Sequence, residues 1–205
     1  MIERWQTIKD FLVPGMFGRF AVFNSDGARF AYLAESDPAS KTPKIQLTGI
    51  PDGSILLKMD QVQEGTAKDV TQPLFLVEGK HLRHRCDYIL LTNLENKDAV
   101  IFVELKSKNF TKSEVTGKFK TCVCLLDFIA SISARFFNTA MSFSPDSKTV
   151  CRYVLIYVPD KPIKNMKNKP SPRICHCTPD CYFKYPANFS VQGNQRIHYK
   201  ELVKI

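Results

Sequence analysis

Hydrophobic and polar positions alternate in short blocks along the first third of the chain. They predict strands near Phe20–Phe23, Arg29–Ala34, Lys44–Thr48 and Ser54–Met59, separated by the turn signals Asn24-Ser25-Asp26-Gly27 and Pro51-Asp52-Gly53. A short amphipathic helix is expected over residues 2–13, ending near Pro14-Gly15. After the polar stretch Gln61–Asp69 come Leu74–Val77, Leu82–Leu91 and Ile101–Lys106. Tyr88–Leu91 and Ile101–Val103 within the last two are apolar on both faces, as strands buried on both sides should be, and the polar turn Asn93–Asp98 joins them as an antiparallel hairpin. From about 112 to 137 the period changes. Val115, Phe119, Cys122, Val123, Leu126, Ile129 and Ala130 recur at three- and four-residue steps, the spacing of a helix face, with Thr111 or Ser113 as its N-cap. A strongly apolar strand, Val150–Val158, ends at Pro159-Asp160, and short strands follow around Cys181–Tyr185 and Arg196–Leu202.

The order strand, strand, long helix, buried strand defines an α/β class with a mixed-sheet core flanked by the long helix. Three stretches are expected: a β-rich N-terminal elaboration (1–70), the core (71–160) and a basic C-terminal extension packed on the same domain (161–205). Composition agrees with a folded chain, since 44% of the 205 residues are hydrophobic and 15 are Phe. No apolar run approaches the roughly 20 residues of a membrane-spanning helix. The start, Met1–Trp5, lacks the basic-then-apolar plan of a signal peptide, so a cytoplasmic location without membrane contact is expected.

Charge placement carries the chemistry. Asp87 opens the first hairpin strand, and Glu104 and Lys106 end the second on one face while Leu105 points to the other. The hairpin therefore brings two carboxylates and a lysine to one strand end, a donor set for a hard divalent cation with an ammonium beside it. A plainer reading makes Glu104 and Lys106 the exposed edge of an amphipathic strand and Asp87 a turn residue. Charge confined to the ends of strands that are otherwise apolar on both faces favours the metal site.

Net charge is +9, and the excess lies late, in residues 161–205, whose only acids are Asp180 and Glu201. That balance suits either a polyanion partner or a solubilising surface. Lys161, Lys164, Lys167, Lys169 and Arg173 form a candidate backbone track, and His81, Arg83 and Arg85 would share a strand face beside Asp87. Tyr182, Phe183 and Tyr185 suit core packing better than base stacking. Cys175, His176, Cys177, Cys181 and His198 could assemble zinc, but the spacing is not a familiar one, and ordinary thiols are the better expectation. No Gly-rich phosphate loop and no nucleophile with a positioned His is evident.

Asp87, sixteen intervening residues and then Glu104-Leu105-Lys106, ahead of a helix and a buried strand, resembles the PD-(D/E)XK nuclease superfamily over roughly residues 74–158. The resemblance implies a restriction-endonuclease-like core. Asp87 and Glu104 would hold Mg²⁺ or Mn²⁺, with the Leu105 carbonyl as a further oxygen and Glu78 as an upstream acid. Lys106 would position or deprotonate the attacking water, or stabilise charge developing on the phosphate. Many relatives carry a glutamine on the following helix; here Lys118 stands where it would fall, a candidate phosphate contact. The implied activity is metal-dependent endonucleolytic hydrolysis of nucleic acid, with DNA the expected substrate. A bacterial restriction or anti-phage effector, with a protein partner or a second copy of the chain, is the implied setting. The alternative is a non-catalytic nucleic-acid-binding or interaction subunit that keeps the fold.

Overall fold

The structure, a computed structural model, describes residues 8, 20–22, 29–34, 44–59, 84–107, 109–139, 143, 149–159, 177–187 and 195–203. Its centre is the hairpin of β5 (Tyr88–Leu94) and β6 (Lys97–Lys106), paired in register from Tyr88↔Val103 to Leu94↔Lys97. The turn is tighter than the expected Asn93–Asp98. Only Glu95 and Asn96 lie outside the strands, both at positive φ (49° and 65°), the two-residue turn whose twist matches that of the ladder.

β4 (Ile55–Lys58) adds antiparallel to β5, while β7 (Val150–Tyr157) and β8 (Phe183–Pro186) add parallel beyond β6, giving five strands in the order β4-β5-β6-β7-β8. Parallel pairing of β6 and β7 requires a crossover. That connection contains the helix α1 (Lys112–Phe137). β7 is enclosed by neighbours on both sides, as its continuous apolar run implies.

α1 starts where expected. Thr111 is extended (φ −99°, ψ 152°), and its hydroxyl accepts the Glu114 N–H at 3.1 Å. At the other end Asn138 turns left-handed, and the Thr139 N–H returns to the Ser133 carbonyl at 3.2 Å. Its apolar stripe covers one face of the five-stranded sheet. Val115, Phe119, Cys122, Leu126 and Ile129 pack on Leu57, Ile89, Val100, Phe102, Tyr153 and Leu155, and Ile8, itself helical, joins this layer. Phe102 stacks on Tyr153 at 4.7 Å between ring centroids, and Phe119 meets Tyr153 edge-on at 5.5 Å.

The opposite face is covered by a second sheet. β1 (Phe20–Val22), β2 (Arg29–Leu33) and β3 (Ile45–Ile50) form an antiparallel meander, with β9 (Gln195–His198) parallel to β3. Leu33, Ile45, Leu47 and Ile197 pack against Leu90, Ile101, Val103, Leu105, Val154 and Ile156. The architecture is thus α/β in three layers: helix, mixed sheet, sheet. The N-terminal elaboration supplies β1, β2 and β3 of the outer sheet, but its last strand, β4, belongs to the central one.

Two further expectations change. The segment expected as a strand over Arg196–Leu202 is β9 followed by a short helix, α2 (Tyr199–Val203). Tyr199, Leu202 and Val203 are buried at helical spacing, a period of 3.6 rather than 2. The strand expected from Leu82 begins only at Tyr88, so Arg85 has no strand face to share. The Leu74–Val77 strand, His81 and Arg83 lie outside the described residues, as does most of the expected N-terminal helix. Among the described residues no helix is long and apolar enough to cross a membrane.

Candidate functional site

Along β6, Val100 and Phe102 face α1, and alternation carries Glu104 and Lys106 to the same face at the strand's end. There the apolar layer gives way to charge. Asp87, just before β5, is buried, and its Oδ2 accepts the Leu105 N–H at 2.5 Å. Its own carbonyl accepts the Met59 N–H at 2.9 Å, so both backbone and side chain are tied to neighbouring strands. The sequence-predicted trio of Asp87, Glu104 and Lys106 is therefore assembled at one end of the central sheet.

The helix supplies two more charges. Glu114 and Lys118, four residues apart on the first turns of α1, lie over the end of β6. Glu104 is fully buried (0% exposed), and its Oε1 accepts Lys118 Nζ at 2.5 Å. Lys106 Nζ stands 3.4 Å from the same oxygen but 2.7 Å from Glu114 Oε1, which makes Glu114 its closer partner. The other oxygen of Glu104, Oε2, is buried and has no hydrogen-bond partner.

Electrostatics follows from this geometry. Burial pushes the Glu104 carboxyl up, against the pull of Lys118 and Lys106. Burial alone would lower the Lys118 ammonium, but the carboxylates of Glu104, Asp87 and Glu114 outweigh it and hold the lysine charged. The two effects oppose each other at the pair, since one favours a neutral acid and the other a charged base. The 2.5 Å contact is the geometry of a charge-assisted hydrogen bond and is best described as an ionised pair. At Glu114, partial burial works upward but is exceeded by the Lys106 hydrogen bond and charge, with Lys118 and a Thr111 backbone hydrogen bond adding to it, so this carboxyl is held low.

Glu104 Oε2 is the observation that bears on a metal. A buried carboxylate oxygen without a donor is costly unless something else satisfies it. Two carboxylate side chains and the Leu105 backbone are the oxygen donors a hard divalent cation takes, so Asp87 and Glu104 fit such an ion. Among the described residues no group of three or more His, Cys, Asp or Glu is gathered as donors, and Glu78 lies outside them.

Glu114 was not singled out from the sequence, although two signals pointed to it. Thr111-x-x-Glu114 is a capping-box pattern, and Glu114 precedes Lys118 by one helical turn. Of the expected nucleic-acid contacts, Lys118 is in the site and Arg85 is half-buried before it; Arg83, Lys164 and Lys167 lie outside the described residues. Tyr182, Phe183 and Tyr185 are buried and serve packing. The cysteine expectation needs correcting at one position: Cys177 is disulfide-bonded, while Cys181 is a free thiol, and Cys175 and His176 lie outside the described residues.

No protein-family description, no curated protein and no solved structure matches the chain.

Proposed function

We propose that the protein is a metal-dependent nuclease of the PD-(D/E)XK type, with a restriction-endonuclease-like core and DNA as its substrate. The observation that carries this reading is Glu104: a fully buried carboxylate with one oxygen unpartnered, beside Asp87 and Lys106 at the strand end. Asp87 and Glu104 would hold Mg²⁺ or Mn²⁺, with the Leu105 carbonyl as a further oxygen. When bound, such an ion supplies a Lewis acid for the phosphodiester and lowers the pKa of a coordinated water.

The chain's own residues have distinct tasks. The Leu105 N–H fixes the rotation of the Asp87 carboxylate, so its orientation does not depend on a ligand. Glu114 holds the Lys106 ammonium beside Glu104, where it would steady the attacking water or charge developing on the phosphate. Lys118 is the cation on the helix within reach of a phosphate, in place of the neutral glutamine of many such enzymes. The late basic residues would track the nucleic-acid backbone. The setting as a restriction or anti-phage effector rests on analogy with compact nucleases of this type.

One observation favours the non-catalytic alternative: Lys118 already neutralises Glu104, as it would in an idle site that only binds nucleic acid or a protein. Cleavage decides between them. Plasmid, single-stranded DNA and RNA are incubated with Mg²⁺ or Mn²⁺ and the wild type, Glu104→Ala or Lys106→Ala. The nuclease reading expects divalent-dependent cutting that both substitutions abolish. Equal cutting by all three proteins, or none by any while DNA binding persists, removes it.

A further inference from the structure

Lys118 and Lys106 differ in what holds them. Lys106 has an anchor of its own in Glu114, 2.7 Å away on the helix, and only leans on Glu104 at 3.4 Å. The closest partner of Lys118 is Glu104 itself, at 2.5 Å on Oε1. The other oxygen of that same carboxylate is buried and has no hydrogen-bond partner. An ammonium in this position satisfies half of Glu104 and repels a second cation from the other half. Lys118 is 15% exposed at its side chain, so part of it borders solvent.

We infer that Lys118 couples nucleic-acid binding to divalent-cation binding: without nucleic acid it caps Glu104, and a backbone phosphate draws it away and leaves the carboxylate to the cation. This rests on the nuclease reading and adds to it an order of events and a role for Glu114. Because Glu114 retains Lys106, one ammonium stays beside the carboxylates after Lys118 has turned to the phosphate. The exchange is also balanced in charge. Asp87, Glu104 and Glu114 face Lys106 and Lys118, so withdrawal of one ammonium increases the negative charge at the place where a cation is to bind. By linkage, the cation must strengthen nucleic-acid binding by the same factor.

The test is Mn²⁺ binding followed by electron paramagnetic resonance of the free ion, with and without a saturating 12-nucleotide duplex. Glu104→Gln is the control that subtracts Mn²⁺ held elsewhere on protein or DNA. For the wild type, the duplex is expected to tighten Glu104-dependent Mn²⁺ binding about tenfold or more, within the usual range of such couplings. Lys118→Met is expected to bind Mn²⁺ without duplex nearly as tightly as the wild type does with it, and to gain less than about twofold from the duplex. Lys118→Gln, which keeps a hydrogen-bond donor for Glu104, repeats the test with less risk to folding, and Lys118→Arg is expected to keep the coupling. A wild type whose Mn²⁺ affinity ignores the duplex overturns the inference, as does coupling that survives in both neutral variants. If the wild type cuts DNA in either case, the nuclease reading stands and only the coupling falls. If the wild type shows no Glu104-dependent Mn²⁺ binding under any condition and no cutting, both fall together.

Discussion

Substituting Lys118 by Met is the sharpest probe of the charge cluster, because its cost has a ceiling set by pH. The change removes the ammonium 2.5 Å from Glu104 Oε1 and leaves a fully buried carboxylate with only Lys106, at 3.4 Å. Breaking a buried pair by deleting one partner typically costs about 3–5 kcal/mol when the remaining group stays charged. Glu104 has another route, which is to take up a proton. From an ordinary carboxyl value of 4.5, protonation costs about 1.4 kcal/mol per pH unit, hence about 3.4 kcal/mol at pH 7 and about 0.7 kcal/mol at pH 5. The cheaper route wins, so the loss of stability should be about 3 kcal/mol at pH 7 and about 1 kcal/mol or less at pH 5.

The sign follows from linkage. In the variant the folded state holds the Glu104 proton at pH values where the unfolded chain has released it. The folded state thus binds more protons, and stability falls as pH rises above the unfolded carboxyl value. Urea denaturation of wild type and variant at pH 5, 6 and 7 measures the difference directly. The double variant Glu104→Gln/Lys118→Met carries no buried charge at this position and should recover most of the loss, with no pH trend between 5 and 7 beyond that of the wild type. A single-variant penalty below about 1 kcal/mol at pH 7, or one that is flat from pH 5 to 7, would show that Glu104 is not the buried partner described.

Three other outcomes are expected. Gly49→Ala should destabilise by at least about 1–2 kcal/mol, because Gly49 is left-handed (φ 71°) and a methyl group there would overlap the His198 ring; adding His198→Ala should recover the overlap but not the backbone cost. Phe119→Ala should cost about 3–5 kcal/mol in urea melts, since the ring is fully buried between Tyr153 and Tyr182. In thiol labelling of the native protein, exposed Cys124 should react first, whereas Cys86, pushed well up by burial and 3.3 Å from the Cys122 sulfur, should stay protected until the chain unfolds. Labelling of Cys86 at the rate of Cys124 would contradict the packing of α1 on β5.

Much of the architecture is legible wherever one periodicity dominates. The four N-terminal strands, the limits of α1 and the buried β7 follow from period 2, period 3.6 and a continuous apolar run respectively. The errors fall where local signals compete. Asn93, Leu94, Lys97 and Asp98 look like turn residues, yet the two-residue Glu95-Asn96 turn lets the ladder run through them. At the C-terminal end, Tyr199, Leu202 and Val203 serve α2, where a strand is expected over Arg196–Leu202. Nor does local pattern reveal that β4 crosses from the N-terminal elaboration to the central sheet. Leu57 and Leu56 face opposite layers, and only the tertiary arrangement says which sheets those layers belong to.

The site shows the same division between what a strand can announce and what a helix must be docked to reveal. Asp87, Glu104 and Lys106 are readable because charge at the end of an apolar strand breaks the expected pattern of that strand. Glu114 and Lys118 break no such pattern on their helix: a Glu one turn before a Lys is what any soluble helix carries, and Lys118 stands out only against the glutamine that the resemblance leads one to expect. Their importance depends on α1 being packed so that Val115 and Phe119 enter the core, which turns the intervening face toward the end of β6. Once there, Lys118 meets Glu104 and Glu114 meets Lys106, and a pair of carboxylates becomes a five-charge cluster with one unsatisfied oxygen. A lysine where a glutamine might stand reads in the sequence as a departure from a pattern. In the structure it is the closest partner of the buried Glu104 carboxylate.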